Sequence, residues 1–133
     1  MLLNISNHPC EKWQEKQTAA AELAYGKIKD IPFPDISPMA ESSEVKKLAK
    51  TYYLQCKEIL RSSNDNENAI YLMGEMTFTH HLVNLLQQQG FQCIASTTSR
   101  LVKENPEGEK TVKFDFQKFR EYPVFDKATQ KQN

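Results

Sequence analysis

The run AIYLM at positions 69–73 is the sequence feature that most constrains the fold. It is apolar throughout and lacks the alternation expected of a strand with one face in water. Strands of this kind are usually covered by helices on both faces, as in a parallel sheet. The run therefore predicts the central strand of an α/β fold.

The amino-terminal third of the chain predicts a strand, a loop, a helix and a second strand. Residues 2–5 are a short apolar run that breaks at residues 6–9, and the following helical pattern stops at Gly26. Residues 27–31 are mixed in polarity and lead into a proline-rich stretch. That composition is typical of a strand at or near the edge of a sheet.

Two further helices flank the central run. The first carries an apolar stripe from Val45 to Leu60, with Ser42 or Ser43 expected as its N-cap. The second follows the turn at residues 74–77 and should close at Gly90, a residue suited to the left-handed conformation.

The rest of the chain predicts a fourth strand at residues 91–95 and then a loop at residues 96–98. Residues 100–104 and 110–116 flank a turn, and Val112, Phe114 and Phe116 alternate with polar residues, which indicates an antiparallel hairpin. We expect one domain over residues 1–125 and a disordered polar tail at 126–133.

Strands that alternate with helices imply right-handed crossovers and a mainly parallel sheet, so the loops after the strands meet at one edge. The first and third strands are the most apolar and are expected to lie side by side, in a flavodoxin-like order. Such neighbours form the crevice where α/β proteins usually bind ligands. The loop residues expected at this edge are Ser6, Asn7, His8, Gly74, Glu75, Met76, Thr77, Ser96, Thr97, Thr98 and Arg100.

These residue types suit an anionic ligand. Gly74 permits close backbone approach, and the free amides of the following helix favour a phosphate, with hydroxyls and Arg100 completing the cradle. Ser6 and Thr77 are equally suited to cap helices, and His8 to a solvated turn. Glu75 is either a catalytic base or a first-turn carboxylate that complements the helix dipole.

The two histidines of the third helix and the single tryptophan could serve either packing or ligand binding. Adjacent helical residues point about 100° apart, so His80 and His81 cannot bind one metal ion from one helix face. His81 falls on the apolar stripe of its helix and is expected to pack in the core. His80 is expected to face either solvent or the crevice, where it would contact the ligand. Trp13 is expected in the core rather than as a base-stacking platform.

The bulk composition narrows the function classes. Seventeen acidic residues balance seventeen basic ones, which argues against a duplex-binding surface. The three cysteines lack metal-ligand spacing, and Cys56 and Cys93 fall in apolar patterns, as expected for reduced thiols.

No signal peptide or membrane span is indicated, so a cytoplasmic protein is expected. The common cofactor and nucleophile motifs are absent, and no cofactor or metal is expected.

Three motifs resemble small CRISPR-associated accessory proteins. They are NISNHP at 4–9, MGEMTFT at 73–79 and ASTTSR at 95–100, followed by FDFQKFREY at 114–122. The resemblance spans about residues 1–122. It implies a Rossmann-like fold related to CARF domains, which bind cyclic oligoadenylate, usually as homodimers with the ligand across the two-fold axis.

Some of these proteins are ring nucleases, and the resemblance implies that activity here. They cleave the cyclic messenger without a metal by guiding a ribose 2′-hydroxyl onto the adjacent phosphate. Carried onto this chain, the resemblance makes Asn7 and His8, residues 74–77, and Thr97, Thr98 and Arg100 the binding and catalytic candidates. His8, or less favourably Glu75, would move the proton, and Arg100 would stabilise the developing charge.

We therefore expect a homodimeric ring nuclease that switches off type III CRISPR signalling. Binding to a membrane or to duplex nucleic acid is not expected. Two other hypotheses use the same loops. One is a sensor that binds the cyclic nucleotide without cutting it. The other is a nucleotide-processing enzyme, such as a deoxyribosyltransferase-like protein, that uses Glu75 covalently.

Overall fold

A computed structural model describes residues 1–125 of the chain, so the predicted tail at 126–133 lies outside the described residues. The strands are β1 (Leu2–Ser6), β2 (Ile28–Asp30), β3 (Ala69–Met73), β4 (Cys93–Glu104) and β5 (Lys110–Glu121). The helices are α1 (Glu15–Tyr25), α2 (Ser42–Arg61) and α3 (Met76–Gln88), and a 3-10 turn, Cys10–Lys12, precedes α1.

The strands form one sheet in the order β2-β1-β3-β4-β5. β1 pairs in parallel with both β2 and β3, β3 pairs in parallel with β4, and only the β4–β5 pair is antiparallel. The predicted α/β class, the adjacent first and third strands and the edge position of β2 are all confirmed. The arrangement is consistent with a Rossmann-like fold.

Both faces of the sheet are covered, as the apolar run of β3 requires. Ile70 and Leu72 pack with residues of α2 and α3, including Phe78 and Leu82. Tyr71 belongs to a second cluster on the face that carries α1. The alternation of side chains along a strand therefore divides β3 between two cores.

The carboxyl ends of α1 and α3 agree with the sequence, but the N-caps of α2 and α3 differ from it, since Glu75 and not Thr77 caps α3. α1 is followed by Gly26 and α3 by Gly90, both at positive φ as expected for helix ends. The N-cap of α2 is Glu41, not Ser42 or Ser43. Glu41 and Glu44 bind each other's backbone amides in a capping box, which satisfies two donors and so moves the start of the helix.

The predicted loop at Ser96, Thr97 and Thr98 is wrong, because these residues lie inside β4. β5 continues to Glu121 and pairs with β4 from Ile94 to Glu104, with a bulge between Thr97 and Thr98. β3 pairs with β4 only at Cys93 and Ile94. The predicted hairpin is confirmed, and its outer part, residues 99–115, extends beyond β3 as a two-stranded arm.

No helix within residues 1–125 is long and apolar enough to cross a membrane.

Candidate functional site

A cleft of about 530 Å³ opens at the carboxyl ends of β1 and β3, on the face of the sheet that carries α1. We call it the aromatic cleft. Its volume is in the range of small-molecule sites. The residues that line it are Asn7, His8, Lys12, Trp13, Gln14, Gln17, Tyr71, Met73, Gly74, Ser96, Thr98, Phe114 and Phe116.

Packed aromatic rings form the wall of the aromatic cleft. The ring of Trp13 meets that of Tyr71 edge-on at a centroid distance of 5.1 Å. Phe119 lies behind them, 5.8 Å from Tyr71 and 5.0 Å from Phe116. Trp13 is half-buried, so it joins the core as expected and also presents a surface to the cleft. Edge-to-face contacts of this kind hold aromatic surfaces rigidly.

The amino end of α1 joins the arm to the cleft through Gln14. The Gln14 side-chain oxygen accepts a 2.7 Å hydrogen bond from the backbone amide of Phe116. Lys16 forms a 2.7 Å ion pair with Asp115 beside it. The Lys16 ammonium group holds the pKa of the Asp115 carboxyl below its usual range. These contacts hold the arm against α1, so that Phe114 and Phe116 line the same cleft as Trp13.

A buried polar network positions the loop that carries His8. Asn4 is only 1% exposed although it lies in the middle of β1. Its side-chain nitrogen donates to the His8 carbonyl at 2.9 Å and to Asp30 Oδ1 at 2.8 Å. Trp13 Nε1 also donates to the His8 carbonyl, at 3.1 Å. The loop backbone is therefore anchored to the sheet, while the His8 side chain is exposed and lines the cleft.

Ser6 belongs to this network rather than to the cleft. Its hydroxyl donates to Asn4 Oδ1 at 2.7 Å and lies 3.3 Å from the backbone amide of His8. Asp30 accepts a further hydrogen bond of 3.0 Å from the Cys10 amide. Sequence reasoning missed the roles of Asn4 and Asp30. A polar residue inside the apolar run at 2–5 was the signal that could have found Asn4.

The charges around the aromatic cleft are favourable for an anion. Lys12 and His8 line it, and none of its lining residues within the described part of the chain is acidic. Lys12 was not among the residues singled out in the sequence, because one exposed lysine in a polar stretch carries no pattern. A phosphate in the cleft would lie close to a lysine and an imidazole.

The amino end of α3 differs from the expected phosphate cradle. The Glu75 carboxylate is the N-cap and accepts hydrogen bonds from the amides of Thr77 at 3.0 Å and Phe78 at 2.7 Å. The Thr77 hydroxyl donates to it as well, at 2.7 Å. The Phe78 amide, followed by the Thr77 donors, holds the pKa of Glu75 below its usual value. These two amides are not free for a ligand, because the chain's own carboxylate already occupies them.

The backbone of Gly74 is closely approached, as expected, but by the side chain of Phe33 rather than by a ligand. A Cβ at this position would overlap the ring of Phe33. That ring packs edge-on against Phe78 at a centroid distance of 5.2 Å. Gly74 also lines the aromatic cleft, so one surface of its backbone packs on Phe33 and another faces the candidate site.

The remaining sequence candidates lie around the cleft rather than in it. Glu75, Thr77 and the partly buried His81 line a hollow between α2 and α3. Met76 and His80 line another hollow beside Tyr122, where His80 Nε2 lies 3.2 Å from the Asn84 side-chain nitrogen. The structure thus brings Asn7, His8, Gly74, Ser96 and Thr98 together and separates the other candidates from them.

Thr97 and Arg100 lie on β4 outside the cleft lining. The Thr97 hydroxyl bonds to the backbone of Lys118 at the bulge, at 3.2 Å. Arg100 is exposed and pairs across the arm with Phe114. Alternate residues of a strand share a face, so Arg100 continues along the arm the face that bears Thr98.

The cysteines offer no reactive thiolate at this site. Cys56 and Cys93 are fully buried, as expected, and burial raises the pKa of each thiol to about 12. Burial, followed by the charge of Asp30, also raises the pKa of Cys10. Within residues 1–125 no group of three His, Cys, Asp or Glu side chains has the arrangement of a metal site.

The fold and the cleft define an α/β protein with a flavodoxin-like strand order and a candidate ligand site at the carboxyl edge of its sheet. The chain belongs to the family described as the uncharacterized protein MJ1673 family, whose model matches residues 1–120. Comparison with curated proteins and with solved structures finds no match.

Proposed function

We propose that this protein is a CARF-like, homodimeric ring nuclease that binds and cleaves cyclic oligoadenylate and so switches off type III CRISPR signalling. The observation that carries the proposal is the aromatic cleft, in which aromatic surfaces for bases adjoin His8 and Lys12, groups suited to a phosphate. The resemblance of residues 4–9, 73–79 and 95–100 to CRISPR-associated accessory proteins supplies the ligand class.

The proposed reaction is an internal transfer at phosphorus. The ribose 2′-oxygen forms a bond to the adjacent phosphorus, and the bond from that phosphorus to the 5′-oxygen breaks. The 2′-hydroxyl loses its proton and the 5′-oxygen gains one, which leaves a 2′,3′-cyclic phosphate and a 5′-hydroxyl. This step requires in-line geometry, a stabiliser for charge on the phosphorane oxygens and a group that moves protons.

The cleft residues match those requirements. His8 moves the proton, because its imidazole faces the cleft from a backbone that Asn4 and Trp13 hold in place. Lys12 stabilises the developing negative charge, and Arg100 extends the positive charge along the arm. Asn7, Ser96 and Thr98 supply polar contacts to ribose and phosphate.

The arm supports the homodimer in this proposal. Its residues Val102, Val112 and Phe114 are 52%, 42% and 62% exposed, and by strand pairing they share the face that continues the cleft. A second copy placed on that face would cover these apolar side chains and close the ligand between two chains. Light scattering after size exclusion should therefore give twice the chain mass; a monomer with and without ligand would remove the dimer from the proposal.

Cleavage is tested by incubating the protein with cyclic tri-, tetra- and hexa-adenylate in EDTA and separating the products by chromatography. We expect linear products that end in 2′,3′-cyclic phosphate or its opened forms. Tight binding without product would favour the sensor. Release of free adenine from a nucleoside, without binding or cleavage of the rings, would favour the deoxyribosyltransferase-like enzyme.

A further inference from the structure

Within residues 1–125, Gln17 is a buried polar residue whose side chain has no hydrogen-bond partner. It lies in the first turn of α1, is 9% exposed and lines the aromatic cleft. Its side-chain amide forms no hydrogen bond to any other group of residues 1–125. The neighbouring Gln14, in contrast, uses both ends of its amide, on the Phe116 amide and the Phe114 carbonyl.

The polar atoms of this amide are not sealed from solvent, because within residues 1–125 the one fully buried side-chain oxygen or nitrogen without a partner is Thr79 Oγ1. Asn4 and Ser6, the buried polar residues of β1, are both bonded within the chain. The Gln17 amide is therefore open to the cleft and available to a ligand there. The carboxamide presents a donor and an acceptor side by side and suits a ligand edge with the complementary pair.

Adenine has such an edge. Its 6-amino group donates beside a ring nitrogen that accepts, and glutamine binds this pair with two hydrogen bonds in nucleic-acid recognition. A nucleobase also needs flat apolar surfaces for stacking. Trp13 and Phe114 line the same cleft, and Phe114 is 62% exposed.

The geometry points to an adenine subsite in the aromatic cleft, in which Gln17 binds the 6-amino edge and Trp13 and Phe114 hold the ring. The base lies toward α1, and its phosphate lies toward His8 and Lys12. The inference rests on the proposed function for the ligand class and adds the residues that select the base.

Trp13 provides the measurement, because it is the one tryptophan of the sequence and lines the cleft. Its fluorescence is followed during titration with adenosine 5′-monophosphate and with purine riboside 5′-monophosphate, which lacks the 6-amino group. The wild-type protein should bind the adenine nucleotide roughly tenfold more tightly. Equal affinities, or no fluorescence change with either nucleotide, would overturn the subsite.

The variant Gln17→Met keeps the length of the side chain and removes its hydrogen bonds. It should bind the two nucleotides equally, because the adenine nucleotide loses two hydrogen bonds and the purine nucleotide loses only the one to its ring nitrogen. Gln55→Met is the matched control, because Gln55 lies on α2 in a different hollow, and it should keep the preference. Retention of the preference in Gln17→Met would contradict the role of Gln17.

A ligand-side test needs no variant and so does not depend on folding of Gln17→Met. N6,N6-dimethyladenosine 5′-monophosphate keeps the ring but has no donor at the 6-amino nitrogen, and the wild-type protein should bind it more weakly than the adenine nucleotide. Equal binding would again overturn the subsite.

The adenine subsite and the ring nuclease activity can be contradicted independently of each other. Selective binding of the adenine nucleotide without cleavage of any cyclic oligoadenylate would leave the subsite and remove the ring nuclease. Cleavage of the rings without discrimination between the two mononucleotides would do the reverse.

Discussion

The side-chain nitrogen of Asn4 donates a 2.9 Å hydrogen bond to the main-chain carbonyl of His8. Asn4 lies in the central part of the sheet, and His8 lies in the loop that borders the aromatic cleft. The same nitrogen also bonds to Asp30 on the neighbouring strand. One buried amide therefore connects two strands to the candidate catalytic loop.

Replacing Asn4 with alanine should destabilise the fold and loosen the His8 loop. The change removes one donor from the His8 carbonyl, one from Asp30 and the acceptor of the Ser6 hydroxyl. Roughly 1–3 kcal/mol of unfolding free energy is expected to be lost, because Asn4 is buried. Urea unfolding measures the effect. Asn84→Ala, at an exposed position on α3, should change stability by less than about 0.5 kcal/mol. Equal midpoints for the two variants would show that the network contributes nothing.

Gly74→Ala should destabilise the protein through a direct steric conflict. The new Cβ would overlap the Phe33 ring, and strain of this kind typically costs about 1–3 kcal/mol. If the ring is the cause, Phe33→Ala should make room for it. The double variant should then be more stable than the sum of the two single losses predicts, as measured by a thermodynamic cycle in urea. Strict additivity would assign the glycine's role to something other than Phe33.

Glu75→Ala should cost about 1 kcal/mol of stability at neutral pH, as the loss of a helix N-cap does. The pKa of Glu75 is lowered by the Phe78 and Thr77 amides in the folded protein, so the charged carboxylate favours folding. Its contribution is complete above the ordinary glutamate pKa and is lost as pH falls through the lower pKa of the folded state. The stability difference from wild type should therefore shrink in acid.

The measurement for Glu75 is urea unfolding at a series of pH values from neutral to acid. Glu58→Ala is the control, since that exposed residue of α2 caps no helix start. A difference for Glu75→Ala that stays constant across the series would contradict the role of its ionised carboxylate.

Local pattern predicted most of the fold and only part of the site. The apolar runs at 2–5 and 69–73 and the mixed run at 27–31 were enough to place β1 beside β3 and β2 at the edge, because burial on two faces and an edge position each affect a strand's own composition. The continuation of β4 through Thr97 depends on pairing with β5, and the Gln14–Phe116 bond joins residues 102 apart. Such contacts have no local signature.

The same difference between local and long-range signals applies to the residues of the aromatic cleft. His8 and Gly74 follow strands and are expected at the carboxyl edge from topology alone. Lys12 lies in a turn and Gln17 in a helix, where polar residues are usually solvated. Only the folded structure shows that these two line the cleft, unlike other exposed polar residues. For Glu75 the sequence left open a catalytic base and a carboxylate that complements the helix dipole, and the structure shows its carboxylate bonded to two amides of α3.

His8 and Lys12 should affect cleavage in different ways. His8→Ala removes the proposed proton-transfer group and should slow single-turnover cleavage of cyclic oligoadenylate by roughly 10²–10⁴-fold, with a smaller change in binding. Lys12→Ala removes the cation of the cleft and should weaken both binding and turnover, as should Arg100→Ala on the arm. Kd from Trp13 fluorescence and the cleavage rate at saturating ligand separate the two effects. His81→Ala and Lys29→Ala, which lie in other hollows, are the matched controls and should retain wild-type values. Wild-type turnover in both His8→Ala and Lys12→Ala would remove the proposed mechanism, because the aromatic cleft would then lack its proton carrier and its charge stabiliser.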